Sequence, residues 1–344
     1  MLASKEFAEL RLSIKNAGLL EKQPFYYLHK TLVTLALLAT GWILLLGSGL
    51  FWLQLLSAAF LGFVYTQIGF IVHDLGHRQA FRKAWTNDVS GIFLSNFLLG
   101  ASYGRWVDMH NQHHRNPNHV ELDPDIAEVP VAAFTEKQAL AKRGVLRFIA
   151  KYQAFFFFPL LACLAPISVR INSLRFLFTD RAKYVPLEIL LLVCHFTLYF
   201  GLLFYFFDSL QALLLIAVHQ TSFGLYMVSV FATSHKGMLY SDSDSSHEYL
   251  RCQVMVARNL KPHPVTDFLS GPLASHVEHH LFPSMSRNKL RKAMKIIKPF
   301  CDARSIDYYE TGFFQSYREI LQFLHQVGAP LRKKGKPAKG TRKP

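Results

Sequence analysis

Half of the chain's 16 histidines fall in three pentapeptides: His73-Asp74-Leu75-Gly76-His77, His110-Asn111-Gln112-His113-His114 and His276-Val277-Glu278-His279-His280. Their spacings of i, i+3 and i, i+4 place the rings on one face if each pentapeptide is helical. Neutral imidazole is the commonest metal ligand among side chains. A structural zinc takes about four ligands and a catalytic zinc about three, so eight clustered imidazoles exceed the needs of one ion. Two ions with about four or five ligands each would use them all and leave room for a ninth. His235 fills that place, because it stands at the exit of an apolar run just as His73 does. The ligand set alone does not choose among zinc, copper, iron and nickel. Asp74, Asp123, Asp125 and Glu278 are the carboxylates placed to fix imidazole tautomers from behind. The three clusters are expected to converge on one polynuclear metal site.

The other histidines read differently. His219 precedes His235 by about 24 Å of helix, so it is expected near the far interface, in a packing role. His195 lies about 12 Å into a span and reads as a core histidine rather than a tunnel wall. His119 reads as a loop histidine near the site, and His247 sits in the polar loop Asp242–His247.

These residues need elements to hold them. Thr31 to Val72 carries no charged residue. As helix it would run about 63 Å, twice the roughly 30 Å hydrocarbon core. Two spans, 31–50 and 51–72, with a reversal at Gly47-Ser48-Gly49, use that length. A second hairpin is expected over 187–206 and 211–233, turning at Phe207-Asp208-Ser209. Neither turn holds Lys or Arg, whereas Lys22, Lys30, the segment 78–183 and Lys236 onward hold many. The positive-inside bias then puts both termini and every cluster in the cytoplasm. Gly91–Tyr103 and Phe155–Ile167 are short for crossings, and the second contains Pro159 and Pro166; both read as interfacial or packed helices. Two further spans there would preserve the sidedness.

The fold class expected is an all-α integral membrane protein of two transmembrane hairpins, with a cytoplasmic helical cap holding the metal site. Residues 1–30 form an amphipathic segment, 31–288 the membrane domain, 289–330 cytoplasmic helices and 331–344 a basic disordered tail. Composition agrees: 51% hydrophobic residues beside a net charge of +15 suits apolar spans with basic flanks better than a soluble enzyme. The four cysteines form no CxxC, which removes the zinc-ribbon and iron–sulfur readings. The dispersed positive charge, with no reading motif, argues against nucleic acid. A metal site at the mouth of Phe-rich spans suits a long apolar chain whose polar head stays in water. Arg78, Arg82, Lys83, Arg105 and Arg115 are placed to meet phosphates or lipid heads.

The pattern HDxGH, HxxHH and a closing EHHLFP resembles the membrane-bound fatty acid desaturases. The likeness runs from about Tyr65 to Tyr309. It includes Tyr103-Gly104-Arg105-Trp106-Val107-Asp108-Met109-His110, Ala232-Thr233-Ser234-His235-Lys236-Gly237-Met238 and Asp267-Phe268-Leu269-Ser270-Gly271. It is strongest with bacterial members allied to the front-end, linoleoyl-CoA-like group. Those members carry Gln at the first position of the third box, where this chain has His276. The resemblance implies a non-haem centre of two iron ions held by His73, His77, His110, His113, His114, His276, His279 and His280, with His235 as the additional ligand. It implies O2-dependent removal of two hydrogens from an acyl chain, giving a cis double bond. The acyl group would be carried by phospholipid, coenzyme A or acyl carrier protein, in a bacterial inner membrane. No HPGG occurs, so the electrons are expected from a separate donor such as ferredoxin or cytochrome b5. The rival readings are a diiron lipid or carotenoid hydroxylase or ketolase, and a metal-binding or transport membrane protein. Transporters carry ligands near the bilayer midplane, whereas these clusters fall outside the spans.

Overall fold

A computed structural model describes residues 5–127, 129–240 and 248–332. The loop at His247 and the tail from residue 333 lie outside the described residues. The first long helix, Pro24–Gly47, opens with a proline, whose missing N–H falls where no helical partner exists. Ser48 to Leu50 then reverses the chain. Leu50 N donates to Ser48 Oγ (3.1 Å) and Gln54 Nε2 to Ser48 O (2.6 Å). The second helix, Phe51–Gly76, does not stop at Val72 but carries His73 and Asp74 in its last turn.

The second hairpin comprises Val185–Phe206 and Ser209–His235. Asp208 caps the latter, accepting from Gln211 N at 3.0 Å. Gln211 Nε2 also donates to Gln54 Oε1, so the two hairpin turns lie side by side, away from the histidines. Phe51–Gly76 is the most enclosed of the long helices. It meets Ser209–His235 at Gly62, where a Cβ would sit 2.7 Å from Phe223 N and 2.8 Å from His219 O. Only glycine lets the two backbones approach that closely.

Five described helices are long and apolar enough to cross a membrane, one more than expected. The addition is Gln153–Phe176, which runs unbroken through Pro159 and Pro166. Pro166 cannot donate to Ala162 O, and that carbonyl instead lies against Gly224, where a Cβ would be 2.0 Å away. Both ends of this helix are tied to the histidine-bearing side. Gln153 Nε2 donates to Ala133 O and Leu324 O (3.0 Å each). Ser173 Oγ accepts from Ser102 N (2.9 Å), immediately ahead of the second cluster. Beyond its end, Arg181 pairs with Asp108 (2.8 Å) on the second-cluster helix. The stretch Gly91–Tyr103 contributes the end of helix Ala84–Ile92 and a wider π-helical turn, Phe93–Leu99. Gly100, at φ +67°, ends that turn in the left-handed conformation.

The cap is built on Arg287–Asp302, whose buried stripe Leu290, Ala293, Met294, Ile297 and Cys301 has helical spacing. It packs with Val277 and Leu281 of the third cluster, with Leu250 and Val254, and with Leu10 and Ile14 of helix Lys5–Asn16. The amphipathic N-terminal helix thus buries its apolar face in the cap. Periodicity announces a buried face but not its partner. Burial pushes the Cys301 thiol up to about 12, and all four cysteines are free. The strands among the described residues are a two-residue parallel pair, Asn259–Leu260 with Glu310–Thr311.

Candidate metal centre

Each cluster is helical. His73 lies in the last turn of Phe51–Gly76 and His77 caps it. His110, His113 and His114 lie on Tyr103–Arg115, whose N-cap Ser102 accepts from Arg105 N (3.0 Å). His276, His279 and His280 lie on the short helix His276–Leu281. His235 is the last residue of its helix. The nine imidazoles converge as two adjoining groups. His73, His77, His110 and His279 form one, and His113, His235, His276 and His280 the other. His114 joins the first group, its Nε2 lying 3.1 Å from Nε2 of both His110 and His279. The groups touch where His114 stacks on His280, with centroids 4.3 Å apart.

Hydrogen bonds on the outer ring nitrogens define what the inner nitrogens offer. His113 Nδ1 donates to Asp123 (2.9 Å), His235 Nδ1 to Val256 O (2.8 Å) and His280 Nδ1 to Gln253 Oε1 (2.8 Å). In a neutral ring this leaves Nε2 as a bare lone pair. Yet Nε2 of His235 lies 3.1 Å from that of His113 and 3.0 Å from that of His280. Lone pairs facing at that distance repel unless a cation lies between them. Nitrogens about 2.1 Å from one ion and roughly at right angles would be about 3 Å apart, which is the spacing found. In the first group His73 Nδ1 donates to Asp74 (3.1 Å), and Nε2 of His73 and His77 are buried without a partner. The residues present therefore fit two metal ions, five nitrogens facing one and four the other.

Electrostatics suit metal binding, since a ligating imidazole must be neutral. Burial holds His77, His110, His114, His276, His279 and His280 well below the ordinary imidazole value. His113 is the exception. Burial would lower it, but the Asp123 carboxylate, with Asp125 behind it, raises it.

Of the four carboxylates expected behind the rings, Asp74 and Asp123 take that place. Asp74 also receives Arg287 Nε (2.8 Å), which anchors the first cluster to the cap. Asp125 stands farther off, 3.6 Å from His113 Nδ1. Glu278 does not bond to any imidazole. Its Oε1 accepts from Tyr308 (2.5 Å) and its Oε2 from Asn259 (2.7 Å). Helical geometry explains this: Glu278 points away from the face that His276, His279 and His280 share. Asp123→Asn should weaken metal affinity about 10- to 100-fold, because the His113 tautomer loses its anchor. Glu278→Gln should leave affinity unchanged while loosening the cap. Competition titration with a chelating dye reads both; equal losses would contradict these roles.

Several supports escaped the sequence reading. Gln253 joins two clusters, since its Nε2 donates to His114 O (3.0 Å) while its Oε1 holds His280. Arg258, fully buried, donates to Thr233 O (2.8 Å) and Lys236 O (2.7 Å) on either side of His235, and pairs with Glu319 (2.7 Å). Gln253 has no spacing or neighbour that marks it, and Arg258 is marked only by the family-like stretch Ala257-Arg258-Asn259. Glu188 on Val185–Phe206 accepts from Ser102 Oγ (2.5 Å), Asn96 Nδ2 (2.9 Å) and Gly104 N (3.1 Å), fixing the start of the second-cluster helix. Its place just inside an apolar run was the available signal.

The remaining histidines stay out of the centre. His119 Nδ1 accepts from Glu121 N and Leu122 N (3.2 Å each), closing its own turn. His219 bonds Tyr199 OH (2.8 Å) and sits at mid-height of its helix, not at the far interface, since about 15 Å of helix precede it. Among the basic residues, Arg78 pairs with Asp88 (3.7 Å) at the surface.

A cavity of about 320 Å³ opens onto the centre at His110, His113, His235 and His276. Its walls are largely apolar, with Phe157, Leu161, Leu164, Met227 and Phe231 among them, and its charged lining is Arg105, Asp125 and Lys236. Trp106 lines it too, stacked on His110 with centroids 4.6 Å apart.

The comparisons with known proteins agree with this geometry. The Fatty acid desaturase family model matches residues 50–312, which include all nine converging histidines. The chain is 31% identical over 336 residues to an acyl-lipid (9-3)-desaturase of Physcomitrium patens, covering 94% of this chain and 62% of that protein. It is 28% identical to a Delta(6)-fatty-acid desaturase of Caenorhabditis elegans and 28% identical to a Delta(5) fatty acid desaturase of the same organism. Each of those alignments covers 96% of this chain and 76% of the relative. With three histidine clusters brought together on a bundle of apolar helices and a family match across most of its length, the chain belongs to the fatty acid desaturase family.

Proposed function

We propose that this chain is an acyl desaturase that introduces a cis double bond into a long-chain acyl group. The observation that carries the reading is an apolar cavity ending on nine imidazoles whose inner lone pairs face one another. Two iron ions, held by His73, His77, His110, His114 and His279 and by His113, His235, His276 and His280, would supply the dioxygen chemistry and the oxidation. The rest falls to the protein. Asp74, Asp123, Val256 O and Gln253 orient the rings. Phe157, Leu161, Met227 and Phe231 keep water from the acyl chain, and Trp106 sets how the chain passes His110.

The acyl carrier is phospholipid, coenzyme A or acyl carrier protein, with its polar head near Arg105 and Lys236. Electrons come from an external donor such as ferredoxin or cytochrome b5, drawn to a basic face. The chain spans the membrane four times, with both termini and all clusters cytoplasmic. The Lys and Arg distribution supports this sidedness. The ties at both ends of Gln153–Phe176 favour that helix packing along the bundle without crossing the bilayer. The similarity to Delta(6), Delta(5) and (9-3) desaturases favours front-end chemistry, although His276 stands where such members have Gln.

Expression in a host lacking polyunsaturated lipids, with mass spectrometry of the acyl chains, tests the activity. New chains two hydrogens lighter, dependent on O2, are expected. Products heavier by one oxygen would instead identify a hydroxylase, and retained metal with no lipid product a binding protein.

A further inference from the structure

A second polar site lies inside the membrane bundle, remote from the histidine centre. A cavity of about 180 Å³ sits between Gln153–Phe176, Val185–Phe206 and Ser209–His235. Arg170, His195, Tyr199 and Gln220 line it. His195 is near the middle of its helix, about 15 Å from either end. Gln220 lies about 22 Å of helix from His235. Polar groups at this depth are costly and mark functional sites.

The hydrogen bonds show which valences remain. His195 Nδ1 donates to Phe97 O (2.8 Å), so Nε2 of this 95% buried ring is an acceptor. Tyr199 OH donates to His219 Nδ1 (2.8 Å) and accepts from Gln220 Nε2 (3.2 Å). Gln220 Oε1 is buried without a partner. Arg170 reaches Pro166 O (2.8 Å) and Leu99 O (3.2 Å), which leaves part of its donor fork unused. Among the described residues no carboxylate is ion-paired with Arg170. The cavity therefore presents a cationic donor that no carboxylate among the described residues neutralises, with His195 beside it.

We propose that this cavity binds the carboxylate of a free fatty acid. Its oxygens accept from the unused N–H groups of Arg170, whose cation favours the ionised form of a carboxyl beside it. A phospholipid phosphate is held at the headgroup level, about 15 Å away. Entry is lateral, from the bilayer. Ile167 and Phe200 line the cavity and are 55% and 42% exposed on the lipid-facing surface. The acyl chain then lies in the bilayer along these residues, so the cavity needs to hold only the head. The site rests on the membrane placement of these helices and not on the desaturase reading. Arg170, Ile216 and Gln220 line this cavity and not the one at the histidines.

The test uses the full chain in phosphatidylcholine nanodiscs with carboxyl-13C palmitic acid, read by NMR. A saturable, shifted carboxyl resonance is expected. Arg170→Met should weaken it at least about tenfold, as loss of a charged hydrogen-bond donor requires. Ile216→Phe, which fills the cavity without touching its polar groups, should abolish it, and retained metal content reports intact folding in both. If Arg170→Met does not fold, Ile216→Phe decides alone. Palmitic acid methyl ester should not compete for the site, and hexadecanol should compete at least tenfold more weakly than the acid. No saturable resonance, a resonance that survives the cavity-filling change, or equal competition by the alcohol would overturn the proposal.

Discussion

His279→Ala and His280→Ala should each abolish desaturation, yet each should remove a different ion. His279 faces the first group, with its Nε2 3.1 Å from that of His114. His280 faces the second, 3.0 Å from Nε2 of His235. Adjacent in sequence, they point into separate sites because consecutive helical residues diverge by about 100°. Each variant should therefore retain metal in the other group, and the metal-to-protein ratio by elemental analysis should fall toward half of the wild-type value. Activity should fall to background in both, since the proposed reaction uses both ions. Normal metal-dependent desaturation in either variant would remove these residues from the ligand set. Loss of all metal from both would mean that the two groups bind cooperatively as one unit. The alanine pocket left behind is small and polar, so unfolding is not the expected cause of the loss, and retained helical content by circular dichroism checks this.

The second large effect separates His235 from His219, two histidines on one helix. His235→Ala should behave like a cluster variant. Its Nε2 lies 3.1 Å from Nε2 of His113 and 3.0 Å from that of His280, and the ring of His276 stands 4.5 Å away between centroids. It is the hub of the second group, and its loss should cost that ion and all activity. His219→Ala should keep full metal content. Its partners are Tyr199 OH and the ring of Tyr65, 4.3 Å between centroids, deep in the bundle. The expected cost there is a hydrogen bond and buried packing, about 1–3 kcal/mol of stability. Metal analysis beside thermal unfolding in detergent distinguishes the two. If both variants lose metal equally, the helical register that separates them by about 24 Å is wrong.

Much of the centre was legible in the chain because metal chemistry is local in type and spacing. Eight imidazoles at i, i+3 and i, i+4 declare their face without any tertiary knowledge. His235 was legible through its place at the end of an apolar run. The hairpins were legible too, since charge-free runs of about twice a bilayer's thickness admit few arrangements. The misreadings share one cause. Gln153–Phe176 looked like a short interrupted segment because proline was read against an isolated helix, whereas Gly224 covers the carbonyl that Pro166 leaves unpaired. Glu278 looked like an imidazole partner because it stands between histidines, but its helical direction sends it to Tyr308 and Asn259. The N-terminal helix was legible as amphipathic, but the partner of its apolar face, the Arg287–Asp302 stripe, lies far along the chain.

The sequence by itself determined the clustered histidines, their number and the apolar lengths that must hold them. Those follow from composition and period, which act over a few residues. Only the tertiary structure decided how nine imidazoles divide into five and four and which outer nitrogens are held by Asp74, Asp123, Val256 and Gln253. It also placed Arg258 and Arg287 as clamps and put Arg170, His195 and Gln220 around one cavity. Apart from the Asp74 contact, those facts depend on contacts between residues ten to hundreds of positions apart. Their positions come from helix packing at close approaches such as Gly62, and no local pattern encodes that packing.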